Sequence, residues 1–99
     1  MHHPLTAGEV LDAVALRQAC DGLPVEARHL EAQLDLRARC SSRWRCVLGG
    51  ILRELERGGL VERQVGTERR HRGSDGRQLR VEHRPGGWVL GRRYERRAA

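Results

Sequence analysis

The chain has 99 residues and a mass of 11.2 kDa, with 38% hydrophobic and 32% charged residues, and its aromatics are Trp44, Trp88 and Tyr94 alone. That length supports one small domain with one core and excludes a large enzyme with two substrate pockets. The net charge of +6 sits wholly in the last third: residues 1–66 hold nine arginines and nine acids, whereas residues 67–99 hold ten arginines and four acids.

A neutral body joined to a basic end fits an anionic partner such as nucleic acid, and also fits a plain solubility device. The basic residues are all arginine, and Lys, Phe and Asn are absent. All three missing types have AT-rich codons, so this bias carries little information about bidentate recognition. No apolar run approaches the 18 or so residues needed to span a membrane, and no apolar segment follows a basic start as in a secretory signal. Cys20, Cys40 and Cys46 are an odd set without a tight pair. Reduced thiols in a cytoplasmic protein are the expectation.

In chain order, Thr6 and Glu9 form a Thr-x-x-Glu capping box, so a first helix is expected from Ala7, with Ala7, Val10, Leu11 and Val14 on one face. It should stop near Asp21-Gly22. Leu16 lies off that face, either simply exposed or half of a homodimer seam through helix one. A second helix should open around Pro24, with Ala27, Leu30 and Leu34 on one side and Val25 and Leu36 bracketing it. Asp35 through Cys40 read as a turn, with Ser41 or Ser42 as the next N-cap.

A third helix is expected from roughly Ser42 to Arg57, with Trp44, Leu48, Ile51, Leu52 and Leu55 in one stripe and Ser42, Cys46, Gly50, Arg53 and Arg57 opposite. Gly49-Gly50 conflicts with it locally, since each glycine costs about 1 kcal/mol relative to alanine inside a helix. Either the helix breaks there or something packs too close for a side chain. From Leu60 the hydrophobic period switches from 3.6 to 2. Strands are expected over Leu60–Val65, Gln78–His83 and Trp88–Leu90, with turn chemistry at Gly73-Ser74-Asp75-Gly76 and Pro85-Gly86-Gly87. Gly66 is a candidate bulge in an arm that continues to Arg72.

The segments Val25–Leu36 and Ile51–Arg63, the latter containing LRELERGGLVER, resemble the first motif helix and the recognition-helix-to-wing junction of winged helix-turn-helix domains of the bacterial repressor type. Over about residues 6–91 the resemblance implies an α+β fold of three helices, a β-hairpin wing and a short third strand. A single domain would then span residues 1–91, followed by a basic tail over 92–99. The resemblance further implies that the third helix enters the major groove of double-stranded DNA. Ser42, Arg43, Arg45 and Arg53 are the residues expected there, against the bland alternative of a solvated helix face. Arg69, Arg70, Arg72 and Arg77 would flank the wing tip and lie along phosphates or in the minor groove, and Arg92 and Arg93 would add nonspecific affinity. Between Leu36 and Leu52 the chain holds more residues than the compact motif usually has.

Trp44 and Trp88 are expected to pack in or beside the core instead of stacking on bases. Cys40, Cys46 and His29 match no zinc spacing, no cofactor motif is present, and no nucleophile, phosphate loop or catalytic acid pair can be read, so the chain is expected to be non-enzymatic. The leading expectation is a small dimeric transcriptional regulator. Two alternatives stay open: a winged-helix module that binds a protein in a phage or larger assembly, and an RNA or ribosome binder.

Overall fold

A first helix begins where the side-chain oxygen of Thr6 accepts the Glu9 N–H at 3.2 Å, and it ends where Gly22 takes a left-handed φ of 69°. In the computed structural model, which describes residues 4–72 and 79–94 and gives the backbone alone for Arg69, His71, Arg72 and residues 79–82, this is α1, Ala7–Asp21. Val10, Leu11, Ala13 and Val14 are buried, whereas Ala7 and Leu16 are exposed, Leu16 at 61%.

The second helix, α2, is Ala27–Leu34 and starts later than Pro24. The reason is the sheet: Val25 exchanges both backbone hydrogen bonds with Trp88, each at 2.8 Å, and so stays extended and buried. Glu26 becomes the residue before the helix, and its N–H donates to Nδ1 of His29 at 3.2 Å. Leu30 is buried and Leu34 half-buried, but Ala27 is exposed.

Asp35–Cys40 is not the expected turn. Asp35 takes a left-handed conformation, and Leu36–Cys40 forms a short helix, α3. Two contacts explain it. Leu36 is fully buried, and the guanidinium of Arg39 forks onto the carboxylate of Glu9 in α1, with Nη2 to Oε1 at 3.1 Å. A 3-10 turn over Ser41–Arg43 then leads into α4, Trp44–Arg57. Arg43 precedes α4, and no side chain caps it, so neither serine serves as the expected N-cap.

The helix α4 runs unbroken across Gly49-Gly50. A Cβ on Gly50 would meet nothing within 4 Å, and one on Gly49 would meet only the Arg53 guanidinium at 3.9 Å. Packing among the described residues therefore does not require glycine at either position. Trp44, Leu48, Leu52 and Leu55 are buried and Ile51 half-buried, the stripe expected from their spacing.

After Gly58 and Gly59 the chain forms β1 (Val61–Gln64), β2 (Thr67–Arg72), β3 (Leu79–Arg84) and β4 (Gly87–Leu90). β1 pairs antiparallel with β4, and β2 with β3, in one shared register from Val61↔Leu90 to Arg72↔Leu79. The two pairs are thus halves of one ribbon, interrupted where Val65-Gly66 faces Pro85-Gly86. Pro85 brings no N–H to the ladder. A Cβ on Gly86 would lie 2.5 Å from the Gly66 nitrogen and 2.9 Å from the Gln64 oxygen. Pro85-Gly86-Gly87 is therefore an interruption within one arm of the ribbon, not a turn to a separate third strand. The expected tip at Gly73–Gly76 lies outside the described residues.

Val25, β4 and β1 lie side by side, and the Leu90 N–H is met by Oε1 of Gln18 at 2.9 Å. The architecture is α+β, helices followed by small antiparallel two-stranded sheets. One core joins α1, Val25, α2, α3, α4 and Val61, and Leu60, Trp88, Leu90 and Tyr94 pack against it.

The Glu9–Arg39 pair gives this architecture a pH signature. Hydrogen bonding to Arg39, reinforced by its charge, holds the Glu9 carboxyl below its usual value. A depressed carboxyl contributes stability above its unfolded pKa, about 4.3, and loses it as pH falls through the folded value. Glu9→Gln is expected to melt below the parent at neutral pH, and the gap should close in acid. Thermal melts at pH 7 and pH 3 check this; a gap equal at both would contradict it.

Candidate nucleic-acid interface

The amphipathic pattern that buries one side of α4 leaves Arg53 and Arg57 opposite the core and Arg45 on its flank. Arg43 in the 3-10 turn, and Arg45, Arg53 and Arg57 in α4, are all exposed, as are Ser42 and Cys46. Ser42, Arg43, Arg45 and Arg53 therefore lie on one continuous stretch outside the core.

Their guanidinium groups are held differently. Arg45 lies over the Trp44 ring, 5.2 Å from its centroid, a cation–π contact that fixes the arginine beside the helix start. Arg53 folds back along the helix, and its Nε donates to the Gly49 carbonyl at 3.2 Å. That leaves Arg53 further groups to donate, since a guanidinium carries five N–H bonds.

Residues outside the expected set join them. Arg37 and Ser41 line an open concavity together with Ser42, Trp44 and Arg45. Arg37 lies in the segment whose composition suggests a turn, and Ser41 stands where the sequence suggests a helix cap. The four-residue step from Arg37 to Ser41 and on to Arg45 is no signal for this placement, because the helix is broken at Ser41.

The ribbon carries the second group. Arg69, Arg70 and Arg72 all lie in β2, opposite Glu82, Val81 and Leu79. The Arg70 side chain is exposed, with Nε 3.8 Å from Oε1 of Glu68, a surface pair of little energetic weight. Arg77, in the expected wing set, lies outside the described residues.

Arg92 is exposed. Arg93 is anchored instead: its N–H bonds to the Gly59 carbonyl at 3.2 Å and its Nη1 to the Gly58 carbonyl at 3.3 Å. It thereby places a cation at the carbonyls just past the C-terminus of α4, where the helix dipole favours positive charge.

Both tryptophans pack as expected. Trp44 is buried, and Trp88 is half-buried against the core with the Arg63 guanidinium 5.9 Å from its ring centroid. Arg63 and Trp88 also border a groove at the ribbon's interruption, beside Glu26 and Ala27. Cys20, Cys40 and Cys46 are free thiols. Among the described residues no group of three His, Cys, Asp or Glu is placed to hold a metal ion, and no helix is long and apolar enough to cross a membrane.

The chain matches no known family model, no curated protein and no solved structure.

Proposed function

We propose that this chain is a non-enzymatic, winged-helix DNA-binding protein in which α4 enters the major groove and the β2–β3 ribbon lies along the backbone or in the minor groove. The observation that carries the reading is the outward face of one uninterrupted helix. It presents Arg45 and Arg53 to solvent, Ser42 and Arg43 are exposed in the 3-10 turn just before it, and Gly58-Gly59 leads from it directly into the arginine-bearing ribbon. A helix of 14 residues fits a major groove about 12 Å wide, and guanidinium groups bond bidentately to guanine edges or to phosphates. Cys46 is exposed and a Cβ on Gly50 would meet open space, so the helix backbone can come close to the groove floor there.

The regulator reading pairs two copies, because two-fold symmetry lets a small domain reach two half-sites. The exposed Leu16 on α1 is then the seam. A second reading, a protein-binding module, is favoured by the open space over Gly50, which suits close approach of another backbone.

A charge-matched comparison tests the proposal. Arg43→Gln/Arg45→Gln should weaken binding to duplex DNA about tenfold or more at moderate salt and lower the salt slope by about 2, since each phosphate contact contributes about 0.9 to that slope. Arg17→Gln/Arg28→Gln removes the same charge outside the proposed interface and should change affinity much less. Equal losses from the two pairs would mean that net charge alone governs binding.

A further inference from the structure

The concavity between α3 and the start of α4 gathers more donor groups than packing uses. Arg37 and Arg45 supply two guanidinium groups, and Ser41 and Ser42 supply two hydroxyls that do not cap the helix. Nearby, Oε1 of Glu31 is 3.4 Å from Nε of Arg37, a single contact on one edge of the guanidinium. The Arg37 side chain is 73% exposed, so its other N–H groups face solvent. Arg45 is steadied by the Trp44 ring beneath it.

Ser41 adds a conformational sign. Its φ of 57° and ψ of −153° fall in a region essentially confined to glycine. This bend joins α3 to the 3-10 turn and sets Ser41 and Ser42 between the two arginines in sequence.

We infer that this concavity binds one phosphate group. Two cations and two hydroxyl donors suit a tetrahedral oxyanion, which accepts hydrogen bonds from several directions and makes charge-assisted bonds to guanidinium. Glu31 meets Arg37 through Nε, a contact that directs that guanidinium and leaves the charge of Arg45 in place. The phosphate can come from a nucleic-acid backbone or from a free phosphate ion or ester. The backbone source rests on the proposed DNA reading, and the free source does not.

The test uses the full chain and two probes. Inorganic phosphate is titrated against it, with chloride at matched ionic strength as control, while the backbone amides of residues 41–45 are followed by NMR. Mixed-sequence duplex DNA is titrated in parallel against the parent, Arg37→Gln and Ser42→Ala, with each variant's fold checked by its unfolding midpoint.

The expected results are a saturable phosphate-specific shift at those amides, weakened at least threefold in Arg37→Gln, and a DNA salt slope lower by about 1 in the same variant. Saturation by phosphate without DNA binding supports the site with a free phosphate as its ligand, and overturns only the DNA reading. A reduced DNA slope without phosphate saturation supports the backbone source. Absence of both effects, in a chain that remains folded, overturns the inference.

Discussion

Leu48→Ala is expected to lower folding stability by about 2–5 kcal/mol, the range for removing a buried leucine side chain and leaving a partly collapsed cavity. Leu48 is 2% exposed and lies midway along α4, within the cluster that holds Val10 and Val14 of α1 and Leu30 of α2. The total stability of a domain of this size is about 5–15 kcal/mol, so the loss is a large fraction of it. Leu23→Ala removes the same atoms from an exposed position and should stay within about 0.5 kcal/mol of the parent. Urea unfolding measures both. A loss below about 1 kcal/mol for Leu48→Ala would contradict the burial that holds α4 in place.

Gly91→Ala is the second large effect, and its cause is backbone crowding. Gly91 is buried where the chain leaving β4 crosses the junction of α4 and β1, and its N–H donates to the Leu60 carbonyl at 2.9 Å. A Cβ there would overlap the Gly59 carbonyl oxygen and lie 2.9 Å from its carbon. Neither neighbour is a flexible side-chain end, so the variant must part β4 from the end of α4. The expected cost is about 2 kcal/mol or more. Gly50→Ala gives the contrast. Its Cβ meets nothing within 4 Å, so helix propensity should raise stability by up to about 1 kcal/mol. The same urea series checks the pair, and equal effects would contradict the geometry.

These two glycines mark how far the sequence could be read. The period of Trp44, Leu48, Leu52 and Leu55 is a local property, and it located the buried stripe of α4 correctly. Thr6 with Glu9 and Gly22 likewise marked both ends of α1, because capping is settled within a few residues. The start of α2 was missed because Val25 pairs with Trp88, 63 residues later. Nothing near Pro24 announces that partner.

The helix over Leu36–Cys40 was missed for a similar reason. It is held by the burial of Leu36 and by the reach of Arg39 to Glu9, both tertiary effects, while its five residues are too short to show a period. Pro85-Gly86-Gly87 has the composition of a turn, yet Gly86 is there so that two strands can approach at Gly66. On the candidate interface, the exposed arginines of α4 were legible from the same helical period as the core. Arg37 and Ser41 were not, since their place beside Arg45 depends on the α3 turn.

The measurement that bears most directly on DNA binding is a fluorescence titration of the purified chain against labelled mixed-sequence duplex DNA and matched duplex RNA, at about 50 and 200 mM salt. The DNA-binding account predicts micromolar or tighter binding to DNA at the lower salt, a steep loss at the higher, and weaker binding to RNA, whose deep, narrow major groove excludes α4. No binding to DNA at the lower salt would contradict it, leave the arginines as solubilising charge, and make a protein partner the occupant to seek over Gly49-Gly50.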